Sequence, residues 1–481
     1  MQMNTLQYQI LKLFITSEDL SIQTNFFHNI LMKINYSSVT SFLFLGNFLA
    51  LTGDAAITWP SPVLPKLNTT DNPLDRRITE DEASWIASVM GFGSMVALIP
   101  FCFLPDLIGR KPSLLLIAVP HMLSFGIAAF AKTVFLFYVA RFLSGFSVCA
   151  CYIVLPMYVA EISESSNRGL MLVSYAIFSN FGSLLSYITG PYLSIFWFNI
   201  FLLIFPICFF ISFLFIAPES PYYYVMKKEY TKASKAIQIL RSNYQNSELE
   251  LNSIRMELET SQKGDIWNTL TEKHAIKGSI IALMLTSFQQ LSGYAVFIPY
   301  TQTIFEQAGS KIDPAISSIL VGLVAFFASF LCPSVIDKRG RRFVLIISLT
   351  GIIISEIIFG SYYYLDTHKY DTESIRWIPL LCLVLYMLFF TFGLGPLPLT
   401  ITSEILPVNI KFLVSTISSF FGTVCSTILS KNYYFLNDNL GYYGTIWMFA
   451  GFCTILLVFI ITVMPETKGK GFSEILEELE K

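Results

Sequence analysis

The segment DLIGRK, residues 106–111, sets an acid, a glycine and two bases between two strongly apolar runs, and DKRGRR, residues 337–342, does so again. An apolar helix of about 20 residues crosses the hydrocarbon core of a bilayer, so a short charged turn between two such runs reads as a turn at a membrane surface. Working outward from the two copies, twelve apolar runs emerge: 41–64, 85–104, 113–131, 134–160, 170–192, 195–217, 276–298, 315–336, 343–365, 377–399, 412–435 and 442–464. One copy of this charged clasp follows the second run and the other follows the eighth. Most connections are short. The exception is 218–275, rich in Lys, Glu, Ser and Asn, whose pattern reads as short amphipathic helices and which splits the runs six and six.

Composition agrees with a membrane protein. Hydrophobic residues make up 54% of the chain and charged residues 13%, with mean hydropathy +0.60. A soluble domain carries about 25% charged residues. A net charge of -2 gives no footprint for nucleic acid. The eight cysteines all lie inside apolar runs without metal or secreted-disulfide spacing, so they read as small buried hydrophobes and call for no metal or cofactor. The first 40 residues lack the apolar core and cleavage site of a signal peptide.

Basic residues orient the runs. An even number of crossings puts both termini on one side, which collects 22 basic residues against 8 on the other, so the termini and both clasps are expected in the cytoplasm. Asn68, in Asn68-Thr69-Thr70, then falls outside as a candidate for N-glycosylation.

Other landmarks repeat in order. Glu161 with Arg168 after the fourth run matches Glu404 with Lys411 after the tenth. PESP at 218–221 matches PETKGKG at 465–471. The offsets are 231 for Asp106 and Asp337, 243 for Glu161 and Glu404, and 247 for Glu219 and Glu466. Ordered recurrence at a near-constant offset indicates duplication of a six-helix unit. The fold class is therefore an all-α membrane protein of two pseudo-symmetric six-helix bundles. Its parts are an N-terminal tail (1–40), a first bundle (41–217), a cytoplasmic helical linker (218–275), a second bundle (276–464) and a tail (465–481).

Each bundle brings acids and bases to one face: Asp106, Arg110, Glu161, Arg168 and Glu219 in the first; Asp337, Arg341, Arg342, Glu404, Lys411 and Glu466 in the second. A topology signal that also stabilises the turn explains one clasp alone. Two clasps with two matching acid–base pairs point to a cytoplasmic gate, whose ion pairs must cross between the bundles.

These residues resemble the sugar porter family of the major facilitator superfamily. The resemblance runs from about residue 45 to 475. It rests on DLIGRK, RFLSG with LPMYVAEISESSNRG (141–169), PESP, QQLSG (289–293), DKRGRR, GLGPLPLTITSEILP (393–407) and PETKGKGFSEI (465–475). WPSPVLPKL (59–67) and ITEDEASWIASV (78–89) look most like the insect facilitated trehalose and glucose transporters. The resemblance implies facilitative passage of a sugar, trehalose or a hexose, across a cell membrane by alternating access, with no enzymatic step and no cofactor. It places substrate amides at Gln289 and Gln290. The alternative for both is hydrogen bonding between helices.

The chain departs from the family at several binding positions. Ala295 stands where the seventh helix usually has Asn, Ala176 at the glutamine position of the fifth, Leu399 at the tryptophan after the broken tenth helix, and Ala325 and Ser426 at two asparagine positions. Tyr294, Tyr300, Thr423 and Ser426 are candidate replacements. Asp54 in the first run and Arg141 in the fourth resemble the acid and arginine of proton-coupled sugar porters, so a symporter using that pair is the second reading; a static ion pair is the plain one. A non-transporting sugar sensor and a carrier of a non-sugar solute complete the alternatives.

Overall fold

The computed structural model describes residues 38–69, 72–164, 168–241, 247–261, 266–309, 312–470, 474, 475 and 478. The tail before residue 38 lies outside them, as do the side chains of Arg168 and Asp337.

Each of the twelve apolar runs coincides with helix. The first gives α1 (Ser38–Thr58) and, across Trp59, α2 (Pro60–Leu67). Then follow α3 (Glu80–Ile108), α4 (Arg110–Ala129), α5 (Val134–Ile162), α6 (Arg168–Thr189) and α7 (Ile195–Ile216). The connecting stretch holds four short helices: α8 (Pro221–Met226), α9 (Tyr230–Leu240), α10 (Ser247–Ser261) and α11 (Ile266–Leu270). The seventh run is broken: α12 (Lys273–Gln289) passes through a widened π-type turn, Gln290–Tyr294, into α13 (Ala295–Gln307). After α14 (Pro314–Arg339) and α15 (Arg341–Thr367), the tenth run is broken in the same way: α16 (Ile378–Phe389) leads through Phe390–Leu394 into α17 (Leu397–Ile405). α18 (Val408–Lys431) and α19 (Tyr433–Val463) complete the chain. Among the described residues, ten helices are long and apolar enough to cross a membrane.

The last boundary differs from expectation. The eleventh run was read to 435 and the twelfth from 442, but α18 stops at Lys431 and α19 begins two residues later. Apolarity placed the boundary late because Tyr433 is buried and Tyr434 packs against the core, so hydropathy does not fall where the backbone turns.

Local chemistry sets the other ends. Thr79 and Glu82 form a reciprocal capping box at the start of α3, satisfying two of its free N–H groups. Phe103, Leu107, Phe135, Ile211, Phe215 and Phe327 point outward from their helices. In water that would be an aggregating surface; in hydrocarbon it costs nothing.

Helices before residue 217 pack mainly on one another: α5 against α3 and α4, α1 against α6 and α7, α4 against α7. Helices after residue 273 do likewise, with α15 against α19 and α16, and α12 against α18 and α17. Three pairs do most of the joining between the groups: α3 with α18, α6 with α14 and α2 with α13. Both clasps fall at one end of the molecule, the clasp face. The starts of α3 and α19 mark the opposite, far face.

Candidate functional site

The two clasps have the same construction. Gly109, at φ +107°, ends α3 and starts α4; Gly340, at φ +95°, does the same between α14 and α15. Each turn presents the first backbone N–H groups of the next helix to one carboxylate, the arrangement in which a helix start best holds an anion. Glu219 accepts from the backbone nitrogens of Arg110 (3.0 Å), Lys111 (3.2 Å) and Ser220 (2.7 Å). Glu466 accepts from those of Arg341 (3.0 Å), Arg342 (3.2 Å) and Thr467 (3.0 Å). Burial pushes the Glu219 carboxyl above its ordinary pKa, and the three N–H donors pull it partly back.

The arginine of each turn reaches a second carboxylate. Arg110 holds Glu161 through Nε and Nη2, both at 2.9 Å, and Asp106 at 2.9 Å. Arg341 holds Glu404 at 3.0 Å. The residue after the first acid closes each ring: the Ser220 hydroxyl donates to Glu161, and Thr467 Oγ1 donates to Glu404 at 2.6 Å.

This corrects the expected gate. The described ion pairs of Arg110, Asp106, Glu161, Arg341 and Glu404 stay within one helix group, as do the backbone bonds of Glu219 and Glu466. The reason is steric. A positive-φ turn aims the free N–H groups of its own next helix at the acid, and the planar guanidinium lies flat against the neighbouring helix, so each charge is satisfied locally. Arg342 spends Nη2 on the Ile461 carbonyl at 2.5 Å. Lys411 makes no ion pair among the described residues, although Glu404 acts on it electrostatically.

Polar contacts between the groups cluster at the far face instead. Lys431 Nζ, at the end of α18, meets Asp81 Oδ1 at 2.5 Å and Ser84 Oγ at 2.8 Å, and sits 4.6 Å from the centre of the Trp85 ring. Gln302 N donates to Ser61 Oγ at 3.1 Å. The Tyr187 hydroxyl donates to the Ile298 carbonyl at 3.2 Å and lies 3.1 Å from Thr301 Oγ1. Near the clasp face the groups touch through the neutral pair Cys102 and Thr416, 3.3 Å apart. Sequence reasoning missed this far-face set. Its only trace was a lone base ending the eleventh run and an acidic start to the second.

At the centre, the paired glutamines part company. Gln289 Nε2 donates to the carbonyls of Leu394 (2.9 Å) and Gly395 (2.8 Å), tying α12 to the broken stretch between α16 and α17. Gln290 makes no hydrogen bond among the described residues and is half-buried at the π-type turn. Tyr294 stacks on Phe390, ring centres 4.4 Å apart and planes 9° apart, and its hydroxyl makes no hydrogen bond among the described residues. Thr423 returns its hydroxyl to the Ser419 carbonyl, while the half-buried Ser426 forms no bond among the described residues. Tyr300 is fully buried and donates to the Ser430 carbonyl, which removes it from the binding candidates.

Asp54 and Arg141 are not partners. The Tyr152 hydroxyl donates to Asp54 Oδ1. Arg141, 3% exposed, donates to the carbonyls of Ile86 (3.1 Å) and Ala56 (2.5 Å), lies 3.1 Å from Met90 Sδ, and covers the Trp59 ring at 5.6 Å. A guanidinium with carbonyls in reach needs no carboxylate to be satisfied. Glu356 is buried in α15 beside Cys453 of α19. Asn68 is exposed at the far face.

The comparisons with known proteins agree with this architecture. A family model described as sugar (and other) transporter matches residues 34–479. A facilitated trehalose transporter of Bombyx mori is 32% identical over 87% of this chain and 82% of its own length. The chain spans about half the length of a Drosophila mojavensis protein of the same description, 33% identical over 87% of this chain and 49% of that one. The inward-open structure of the xylose transporter XylE from E. coli superposes with TM-score 0.75 at 20% identity, covering 92% of this chain and 99% of the other. With its repeated clasps, its two broken helices and a match along nearly its whole length, this chain belongs to the sugar (and other) transporter family, within the sugar porters of the major facilitator superfamily.

Proposed function

We propose that the chain is a facilitative sugar carrier of the cell membrane, passing trehalose or a hexose down its gradient by alternating access. Two six-helix bundles, 41–217 and 276–464, rock about a central cavity, with 218–275 as a linker and 465–481 as a tail on the clasp face. That face is cytoplasmic, and Asn68 on the far face is a glycosylation site. One observation carries the reading: the clasp's carboxylate-to-backbone bonds and its arginine–glutamate pair recur in two helix groups, in a chain whose insect relatives are named facilitated trehalose transporters. A ring of ion pairs inside each group makes each a rigid body, as rocking requires. With polar contacts between the groups gathered at the far face, the described conformation opens toward the clasp face.

Gln290, Tyr294 and Ser426 have polar groups without a hydrogen-bond partner among the described residues and are the binding residues of this reading; Gln289 braces the broken helices. Symport through an Asp54–Arg141 pair is the weaker reading, because every described donor of Arg141 is engaged elsewhere. Uptake of radiolabelled trehalose, glucose and polyols in oocytes tests the proposal. Saturable sugar entry that equilibrates, and that does not change when the bath is made alkaline, supports it. Correctly inserted protein that moves none of these sugars overturns it. Loss of a glycan from wild type but not from Asn68→Gln, seen as a glycosidase mobility shift, places the far face outside.

A further inference from the structure

Asp54 is the acid this mechanism leaves unused. It sits in α1, 9% exposed, where Gly53 packs against Val148 of α5. One turn beyond Val148, Tyr152 donates its hydroxyl to Asp54 Oδ1. Asp54 Oδ2 accepts nothing among the described residues, yet is not among the sealed polar atoms of the interior. A carboxylate withdrawn from bulk water with one donor on four lone-pair positions is under-satisfied, and such a group costs several kcal/mol unless something donates to it. Arg141 does not, since its donors go to Ile86, Ala56 and Met90.

The surroundings face inward between the helix groups. Tyr152 is 38% exposed and packs edge to face on Tyr175 of α6, 6.1 Å between ring centres. The Asp54 charge acts on the hydroxyls of Tyr152, Tyr175 and, across the groups, Tyr294 at the broken seventh helix. Positions 176, 295 and 325 are alanine and offer no hydrogen bond, and Gln289 is engaged. We propose that Asp54 is a specificity-determining residue that accepts hydrogen bonds from adjacent hydroxyls of the bound sugar, with Tyr152 fixing the carboxylate and Tyr294 near it on the other group. The inference rests on the sugar-carrier reading and names the chemistry of that site. A carboxylate only accepts, so the site selects ligands that present hydroxyl donors; it rejects analogues lacking one hydroxyl and repels anionic sugars.

The test uses the full chain in proteoliposomes and measures equilibrium exchange of radiolabelled trehalose and glucose, with a panel of single-deoxy glucoses as competitors. Asp54→Asn raises the exchange KM about tenfold, roughly 1.4 kcal/mol, while leaving the maximal rate in place. Tyr152→Phe, which keeps the ring and serves if the first variant does not fold, raises it about threefold. One or two adjacent deoxy analogues compete about tenfold more weakly than glucose on wild type, and Asp54→Asn abolishes that difference. Unchanged KM and an unchanged deoxy profile in either variant overturn the assignment. So does an Asp54→Asn variant that loses only accumulation driven by a proton gradient, which would make Asp54 a proton site. In both cases wild-type exchange leaves the carrier reading standing; a wild type that exchanges neither sugar overturns both.

Discussion

At residue scale, the clasp glycines are constrained twice, by contact and by backbone angle. A Cβ on Gly109 would lie 2.2 Å from Glu219 Oε2, and one on Gly340 2.7 Å from Glu466 Oε2. Both residues also hold φ values that L side chains rarely adopt. Alanine at either position is expected to cost about 2–3 kcal/mol, from backbone strain plus displacement of the half-buried acid. Gly469 is the control: it holds φ +70° with nothing within 4 Å of a Cβ, so Gly469→Ala should cost only the backbone part, about 1 kcal/mol. Thermal unfolding of the three variants in detergent checks the order.

At the scale of elements, the far-face lysine and the broken helices set the conformational balance. Lys431 is partly buried and Asp81 largely exposed, so the ion pair contributes about 0–1 kcal/mol and the Trp85 ring a similar amount. Lys431→Met is therefore expected to move the inward–outward equilibrium about three- to tenfold toward a far-face opening. Alkylation of a single cysteine placed in the far-face cleft reads that shift, and an unchanged rate removes Lys431 from the gate. Gln289 acts on a different step. It is the one described side-chain tie from α12 to the Leu394 and Gly395 carbonyls, which the irregular backbone has released from helical bonding. Gln289→Leu leaves them unpaired and is expected to lower the maximal transport rate several-fold with a smaller change in KM. A rise in KM alone would make Gln289 a substrate ligand after all.

At the scale of the molecule, what matters is which charges belong to the same rigid body. Arg110 is buried and Glu161 mostly so, and removing one partner strands the other at a cost of about 3–5 kcal/mol. A double-mutant cycle on Arg110 and Glu161 should show strong coupling, and so should one on Arg341 and Glu404. A cycle on Arg110 and Glu404 should show coupling near zero in this conformation. Strong cross-group coupling with the protein trapped facing outward would show that the clasps exchange partners during transport.

Much of this was legible in the chain itself. Hydrophobic run length located the long apolar helices, though not the boundary at Lys431, because a bilayer imposes a minimum span that few other structures need. The ordered recurrence of Gly109 with Gly340, Glu161 with Glu404 and Glu219 with Glu466 located the duplication, because each turn solves the same local problem of satisfying a helix start. Partner choice was not legible. Arg110 had several acids within reach of any plausible packing, and only helix placement decides that Glu161 meets it while Glu404 meets Arg341. Likewise Asp54 and Arg141 each occupy a readable position on a readable helix, but which way a long side chain turns depends on carbonyls and sulfur supplied by other helices. Sequence determines what each element must bury and where it must turn, because those demands are local. Which charge answers which is a competition among groups distant in the chain, and only the tertiary structure resolves it.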